Sequence, residues 1–195
     1  VICVGIALAM SEVPVLLIEK HGLMERVHDR GGEREVRFLW QARPTVLPVW
    51  HGGKLKVVTW GNRDRRETKL PPTGWTWQET VESGWWSQLA PEEVVIPASF
   101  GFANGVWFKL KVGVRGLLVH DRQGKPVVFM LTQPATRYYE IMCRSDWAPV
   151  LVDEVIWRLT PLFETGSRRV IIRTMPDDVA PVLAIFDRLA PQLVR

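Results

Sequence analysis

The chain has 195 residues, 47% hydrophobic and 24% charged, enough apolar material for a core without a disulfide scaffold and enough length for one domain. Its net charge is +4 with a pI near 9.3, which permits contact with a phosphate backbone without requiring it. Two cysteines, Cys3 and Cys143, read as free thiols of a reducing compartment, so the expected location is the cytoplasm.

Val1 to Ala9 is a short apolar run rich in Val and Ile, which predicts a buried strand. It lacks a basic flank and ends at Ser11, too short to span a membrane. Ser11 is placed to cap a helix through about Lys20, with Pro14 in its first turn. Glu35 to Trp40 alternates and predicts a strand. Leu47–Trp50 and Leu55–Trp60 flank His51-Gly52-Gly53-Lys54, a hairpin signal. Gly61 to Pro72 is a charged loop. Thr76 to Leu89 reads as a helix interrupted near Gly84. Strands follow at Val94–Ile96, Val106–Val112, Gly116–His120 and Pro126–Thr132, with a turn at Asp121–Gly124. A short helix is expected over Thr136–Met142, then a brief strand at Val150–Val152 and a helix ending near Phe163. Val170–Arg173 predicts a strand and Asp177–Leu193 a C-terminal helix.

Strands and helices are mixed without regular βαβ alternation. That predicts an α+β fold with a curved, mostly antiparallel, barrel-like sheet flanked by helices. The expected organisation is a single domain over 1–195, with 176–195 a C-terminal helix.

Ten tryptophans invite a base-stacking surface, though most tryptophans in such segments are core. His21 and His28 lie seven apart with Gly22 between them, and no Cys or acidic pair stands at ligand spacing, so no metal site is expected. Ser145, Asp146 and His120 lack a nucleophile-elbow motif. The glycine pairs match neither a phosphate loop nor a dinucleotide fingerprint.

Several blocks carry a resemblance. Val95-Ile96-Pro97-Ala98-Ser99-Phe100-Gly101-Phe102, Arg115-Gly116-Leu117-Leu118, Phe129-Met130-Leu131-Thr132-Gln133-Pro134-Ala135 and Ser145-Asp146-Trp147-Ala148-Pro149-Val150-Leu151 run in the order of motifs in the SOS-response-associated peptidase (SRAP) family. Cys3-Val4-Gly5, Trp60-Gly61 and Arg65-Arg66-Glu67-Thr68 extend the match upstream. The chain resembles that family from Cys3 to about Leu159, as a divergent member.

The resemblance implies a protein that processes abasic sites in single-stranded DNA, with no metal or organic cofactor, no membrane, and a monomeric state. In the family a terminal cysteine amine forms a Schiff base with the abasic-site aldehyde, and the thiol closes onto the imine. Cys3 is the matching residue. Val1 and Ile2 precede it, so the reaction requires their removal, which an autoproteolytic role could supply.

Asn62 is the asparagine nearest the family's sugar-orienting position, to which strict spacing assigns Arg63. Arg65 matches a phosphate-binding arginine. Trp60 or Trp147 would stack near the lesion, and Arg63, Arg66 and Arg144 complete the expected DNA contacts. The family's glutamate falls near Ala103 or Asn104 and its histidine on Ser145, so both proton-transfer groups are replaced, with Asp146 the neighbouring acid. The alternative is a catalytically degenerate module that binds nucleic acid or a protein partner without a covalent bond.

Overall fold

A computed structural model describes residues 3–152 together with the backbone of three short strands, Ile156–Trp157, Leu162–Glu164 and Ser167–Arg169. The elements are β1 (Gly5–Ala9), α1 (Val15–Lys20), β2 (Val27–Arg30), β3 (Glu33–Leu39), β4 (Val46–His51), β5 (Lys54–Trp60), β6 (Trp75–Trp77), α2 (Gln78–Glu82), β7 (Glu92–Pro97), β8 (Phe100–Ala103), β9 (Val106–Leu110), β10 (Gly113–His120), β11 (Pro126–Pro134), α3 (Arg137–Cys143), β12 (Trp147–Pro149), β13 (Ile156–Trp157), β14 (Leu162–Glu164) and β15 (Ser167–Arg169).

The fold is α+β, as the sequence predicts. Strands run in the order β10-β7-β4-β5-β11, and β10 pairs β11 to close a five-stranded mixed barrel. Closure removes the exposed edges of an open sheet. The β5–β11 pair is parallel, registering Val127 with Thr59 and Val128 with Trp60. A second, antiparallel sheet runs β13-β9-β8-β1-β3-β2.

The apolar run of β11 is buried on both faces. Val128 and Met130 enter the main core with Ile6, Phe38, Leu47, Ile96 and Phe108. Val127, Phe129 and Leu131 point the other way, into a smaller cluster with Trp86, Leu117 and Val119. A strand covered on both sides needs apolar residues at every position, and Val127–Leu131 supplies them.

The differences from the sequence expectations have local causes. Ser11 does not cap a helix. Met10–Glu12 is a single 3-10 turn, Val13 is extended (φ −108°, ψ 114°) because Pro14 follows it, and α1 starts only at Val15. Thr76–Leu89 is not one helix. Trp75–Trp77 forms β6 beside β11, α2 spans five residues, and Gly84 (φ +79°) turns the chain before a 3-10 turn at Ser87–Leu89. The strand expected at Val150–Val152 sits earlier, at Trp147–Pro149, with only an isolated bridge from Val114 to Leu151. Instead of a helix ending near Phe163, the described backbone there is extended: β13 pairs β9, and β14 pairs β15. The strand at Val170–Arg173 and the helix at Asp177–Leu193 lie outside the described residues. No helix among the described residues is long and apolar enough to cross a membrane.

Candidate nucleic-acid interface

The loop after β5 is braced from within. Gly61 takes φ +60°, and its amide donates to Val128 O at 2.8 Å, turning the chain away from the barrel. Asn62 follows, buried, with every group of its amide engaged. Its Nδ2 donates to Glu67 O at 2.6 Å and to Leu70 O at 2.9 Å, while its Oδ1 accepts from Glu67 N at 3.2 Å. Asn62 therefore holds residues 62–70 in shape, with both amide hydrogens spent on its own loop.

Beneath the loop, Trp40, Trp60 and Trp75 pack with ring centroids 4.7–5.4 Å apart. Trp60 has no exposed surface, and its Nε1 donates to Gly74 O at 2.8 Å. A Cβ on Gly74 would stand 2.5 Å from Trp40 Cζ3, so only glycine admits this packing. Trp60 is thus a core residue with no free ring face, and the expectation that it stacks on a base is corrected on that ground.

The loop forms one wall of a cleft of about 810 Å³. Arg43, Arg63, Arg66, Arg122 and Lys125 line it, against the carboxylates of Asp64, Glu67 and Asp121. Arg43 Nη1 lies 2.6 Å from Asp64 Oδ2, and Arg66 Nη2 lies 3.2 Å from the same oxygen. Arg43 and Arg66 hold the Asp64 carboxyl below its ordinary range, with Arg63 adding to their effect. Arg122 bonds Glu67 through Nε at 3.0 Å and through its backbone amide. Asp121 is committed to its turn, accepting from Gln123 N and Lys125 N at 2.8 Å. Arg63 reaches inward, donating to Trp40 O at 2.6 Å. Arg65, exposed at φ +52°, does not line the cleft.

Cys3 also lies outside the cleft lining. It is completely buried, its Sγ 3.2 Å from Gly5 O, and its carbonyl accepts from Trp75 Nε1 at 3.0 Å. Burial pushes the thiol up to about 11, against smaller opposing contributions from the Gly5 and Phe102 backbone. Cys143 is pushed up to about 12 by burial and then by Cys3. Tyr139, buried against both, is raised well above its usual value by burial first. At neutral pH these groups are protonated, which leaves Cys3 a weak nucleophile.

The segment bearing Arg144, Asp146 and Trp147 faces a different neighbour. Asn104 (φ +47°) donates through Nδ2 to Cys143 O at 2.8 Å and Arg144 O at 2.9 Å. Of Ala103 and Asn104, between which the resemblance expects a glutamate, Asn104 thus clamps the loop that leads to Ser145. Ser145 is buried, donates to Trp147 O at 2.7 Å, and accepts from Trp147 N. Arg144 and Asp146 are exposed. Trp147 is half-buried and stands edge-to-face on Trp77, which is 40% exposed.

Of the residues expected at the site, the structure gathers Trp60, Asn62, Arg63 and Arg66 at the cleft; Cys3, Arg65, Arg144, Asp146 and Trp147 are not among its lining. Arg43, Arg122 and Lys125 join it without having been anticipated. Each comes from a turn remote in sequence, with no local signal to connect it to Asn62. Among the described residues no group of three or more His, Cys, Asp and Glu gathers as a metal site would require. Comparison of the chain with protein-family models, with curated proteins and with solved structures finds no match.

Proposed function

We propose that the chain is a non-covalent binding module for single-stranded nucleic acid, built on an SRAP-like scaffold that has lost its covalent chemistry. The observation that carries this reading is the cleft, with five cationic side chains against three carboxylates. Lysine and arginine bind nucleic acid by neutralising phosphates and releasing counterions. Exposed Trp77 and half-buried Trp147 offer rings on which unpaired bases stack, which favours a single strand over a duplex. The burial of Cys3 and the replacement of the family's glutamate and histidine argue against covalent turnover. The two free, buried cysteines suit a reducing compartment, and a cytoplasmic location belongs to the same proposal.

Covalent capture of an abasic-site aldehyde by Cys3 is the second reading. One observation favours it. Trp75, which holds the Cys3 carbonyl, packs directly on Trp60, whose ring backs the cleft, so two packed tryptophans connect Cys3 to the cleft floor. It requires a free Cys3 amine and a displaced Trp75.

Fluorescence anisotropy with a labelled twelve-nucleotide oligothymidylate, its duplex, and the same strand bearing an abasic site tests both. The expected result is reversible, salt-sensitive binding with a dissociation constant of about 10⁻⁶–10⁻⁴ M and preference for the single strand. Absence of binding at low salt would sink the first reading. Intact-mass analysis of the abasic-site sample decides the second: an adduct lost in Cys3→Ala establishes it, and an unmodified chain excludes it.

A further inference from the structure

Asp64 is held differently from the other two carboxylates of the cleft. Asp121 shapes its turn through backbone amides, and Glu67 accepts from the Lys69 and Arg122 amides. Asp64 has only guanidiniums: Arg43 Nη1 at 2.6 Å and Arg66 Nη2 at 3.2 Å, both on Oδ2. An oxyanion between two guanidiniums is the arrangement by which arginines hold a phosphate. The Arg43 and Arg66 side chains are 57% and 84% exposed, so neither is fixed to Asp64 by burial, and the pairs exchange readily.

A further positive charge backs this wall. Arg26 is 92% buried, donates through Nη2 to Pro44 O beside Arg43, and has no carboxylate partner among the described residues. Its Nη1 has no hydrogen-bond partner among them either. The wall thus carries three cations, Arg26, Arg43 and Arg66, against the single carboxylate of Asp64.

We propose that Arg43 and Arg66 form an oxyanion subsite for one phosphate group of the bound strand, and that Asp64 fills this subsite as an internal competitor. The subsite rests on the nucleic-acid reading above and adds to it a residue that weakens binding. Ligand phosphate displaces the Asp64 carboxylate from the two guanidiniums, with no covalent step. The cleft then admits only ligands that present enough phosphates in series to outcompete an intramolecular anion, which selects a polynucleotide over isolated phosphate.

The test compares Asp64→Asn with Glu19→Gln, an equal charge change on exposed α1. Anisotropy with the oligothymidylate is recorded at two salt concentrations, and circular dichroism checks folding. Asp64→Asn should bind roughly five- to tenfold more tightly at about 50 mM salt, with a salt slope steeper by about 0.7, the increment for one extra phosphate contact on a single strand. Glu19→Gln should stay within about twofold of the parent, the change expected of long-range charge alone. The gain should vanish in Asp64→Asn/Arg43→Gln, which restores the parental net charge. Asp64→Ser serves as a second variant with the same expected gain.

Equal effects of Asp64→Asn and Glu19→Gln, or a gain that survives Arg43→Gln, overturn the subsite. If the parent binds no oligonucleotide, the nucleic-acid reading fails, and titration with inorganic pyrophosphate decides the subsite separately. Tighter pyrophosphate binding by Asp64→Asn than by the parent upholds it, and identical binding refutes it.

Discussion

Replacing Asn62 with alanine separates a structural from a ligand-contacting role for that residue. The side chain is 6% exposed and makes three hydrogen bonds within its own loop, to Glu67 O, Leu70 O and from Glu67 N. At about 1 kcal/mol each, with an added cost for leaving a buried carbonyl unpaired, their loss amounts to roughly 2–4 kcal/mol. For a chain of 195 residues, 1 kcal/mol moves the midpoint by about 2–4 °C, so Asn62→Ala should melt roughly 4–16 °C lower. Urea titration followed by tryptophan fluorescence measures the change directly, with the m-value as a check that the unfolded state is unaltered. Asn62→Asp should do no better, because it removes both donors and sets a carboxylate against two carbonyls. A variant within about 0.5 kcal/mol of the parent that nonetheless loses oligonucleotide binding would refute the brace and return Asn62 to the ligand.

Glu35 is buried with Arg30 Nε at 2.6 Å and Arg37 Nε at 2.7 Å; burial pushes its carboxyl up, but the two guanidiniums outweigh that and hold it below the usual range. Glu35→Gln should therefore cost about 2–4 kcal/mol at neutral pH. The difference is full above the unfolded value of about 4.3 and disappears as pH falls through the lowered folded value, so a difference that does not change with pH would count against it. Cys3, fully buried with its thiol raised to about 11, should resist iodoacetamide in the folded protein at pH near 8 and react once denaturant is added; fast native labelling at Cys3 would mean that it is accessible. Gly61→Ala forces a side chain into φ +60° and sets its Cβ 2.5 Å from Gly74 Cα, which should lower stability by about 2–4 kcal/mol, and an unchanged denaturation midpoint would contradict that packing.

The sequence revealed those elements whose pattern is local. The β4–β5 hairpin announces itself by Gly52-Gly53 between apolar runs, and α3 by Thr136, whose Oγ1 accepts from Tyr139 N. β6 was obscured because Trp75-Thr76-Trp77 sits in a Trp-rich segment that reads as helical, and only its parallel partner β11 makes it a strand. β2 and β8 were missed for the same reason: four-residue segments acquire their identity from the neighbours they pair with. At the site, the Gly61–Pro72 loop was legible as charged. Arg122, across 60 residues from Asn62, meets it only because the last residues of β5 pair with the first of β11, a relation no periodicity encodes. The inward turn of Asn62 and Trp60 was equally hidden, since a polar residue after a strand looks the same whether it faces water or bonds its own loop.

Three side chains bolt segments of the two sheets together. Trp75 reaches Cys3 O, Arg63 reaches Trp40 O, and Asn104 reaches Cys143 O and Arg144 O. In each case a side chain donates and a main-chain carbonyl accepts. The joint is therefore asymmetric under mutation. Cys3, Trp40, Cys143 and Arg144 could drift to other residues while their carbonyls kept the bolt, whereas Trp75, Arg63 and Asn104 could not. The side chain of Cys3 could thus change in evolution without loosening the joint that its carbonyl supports.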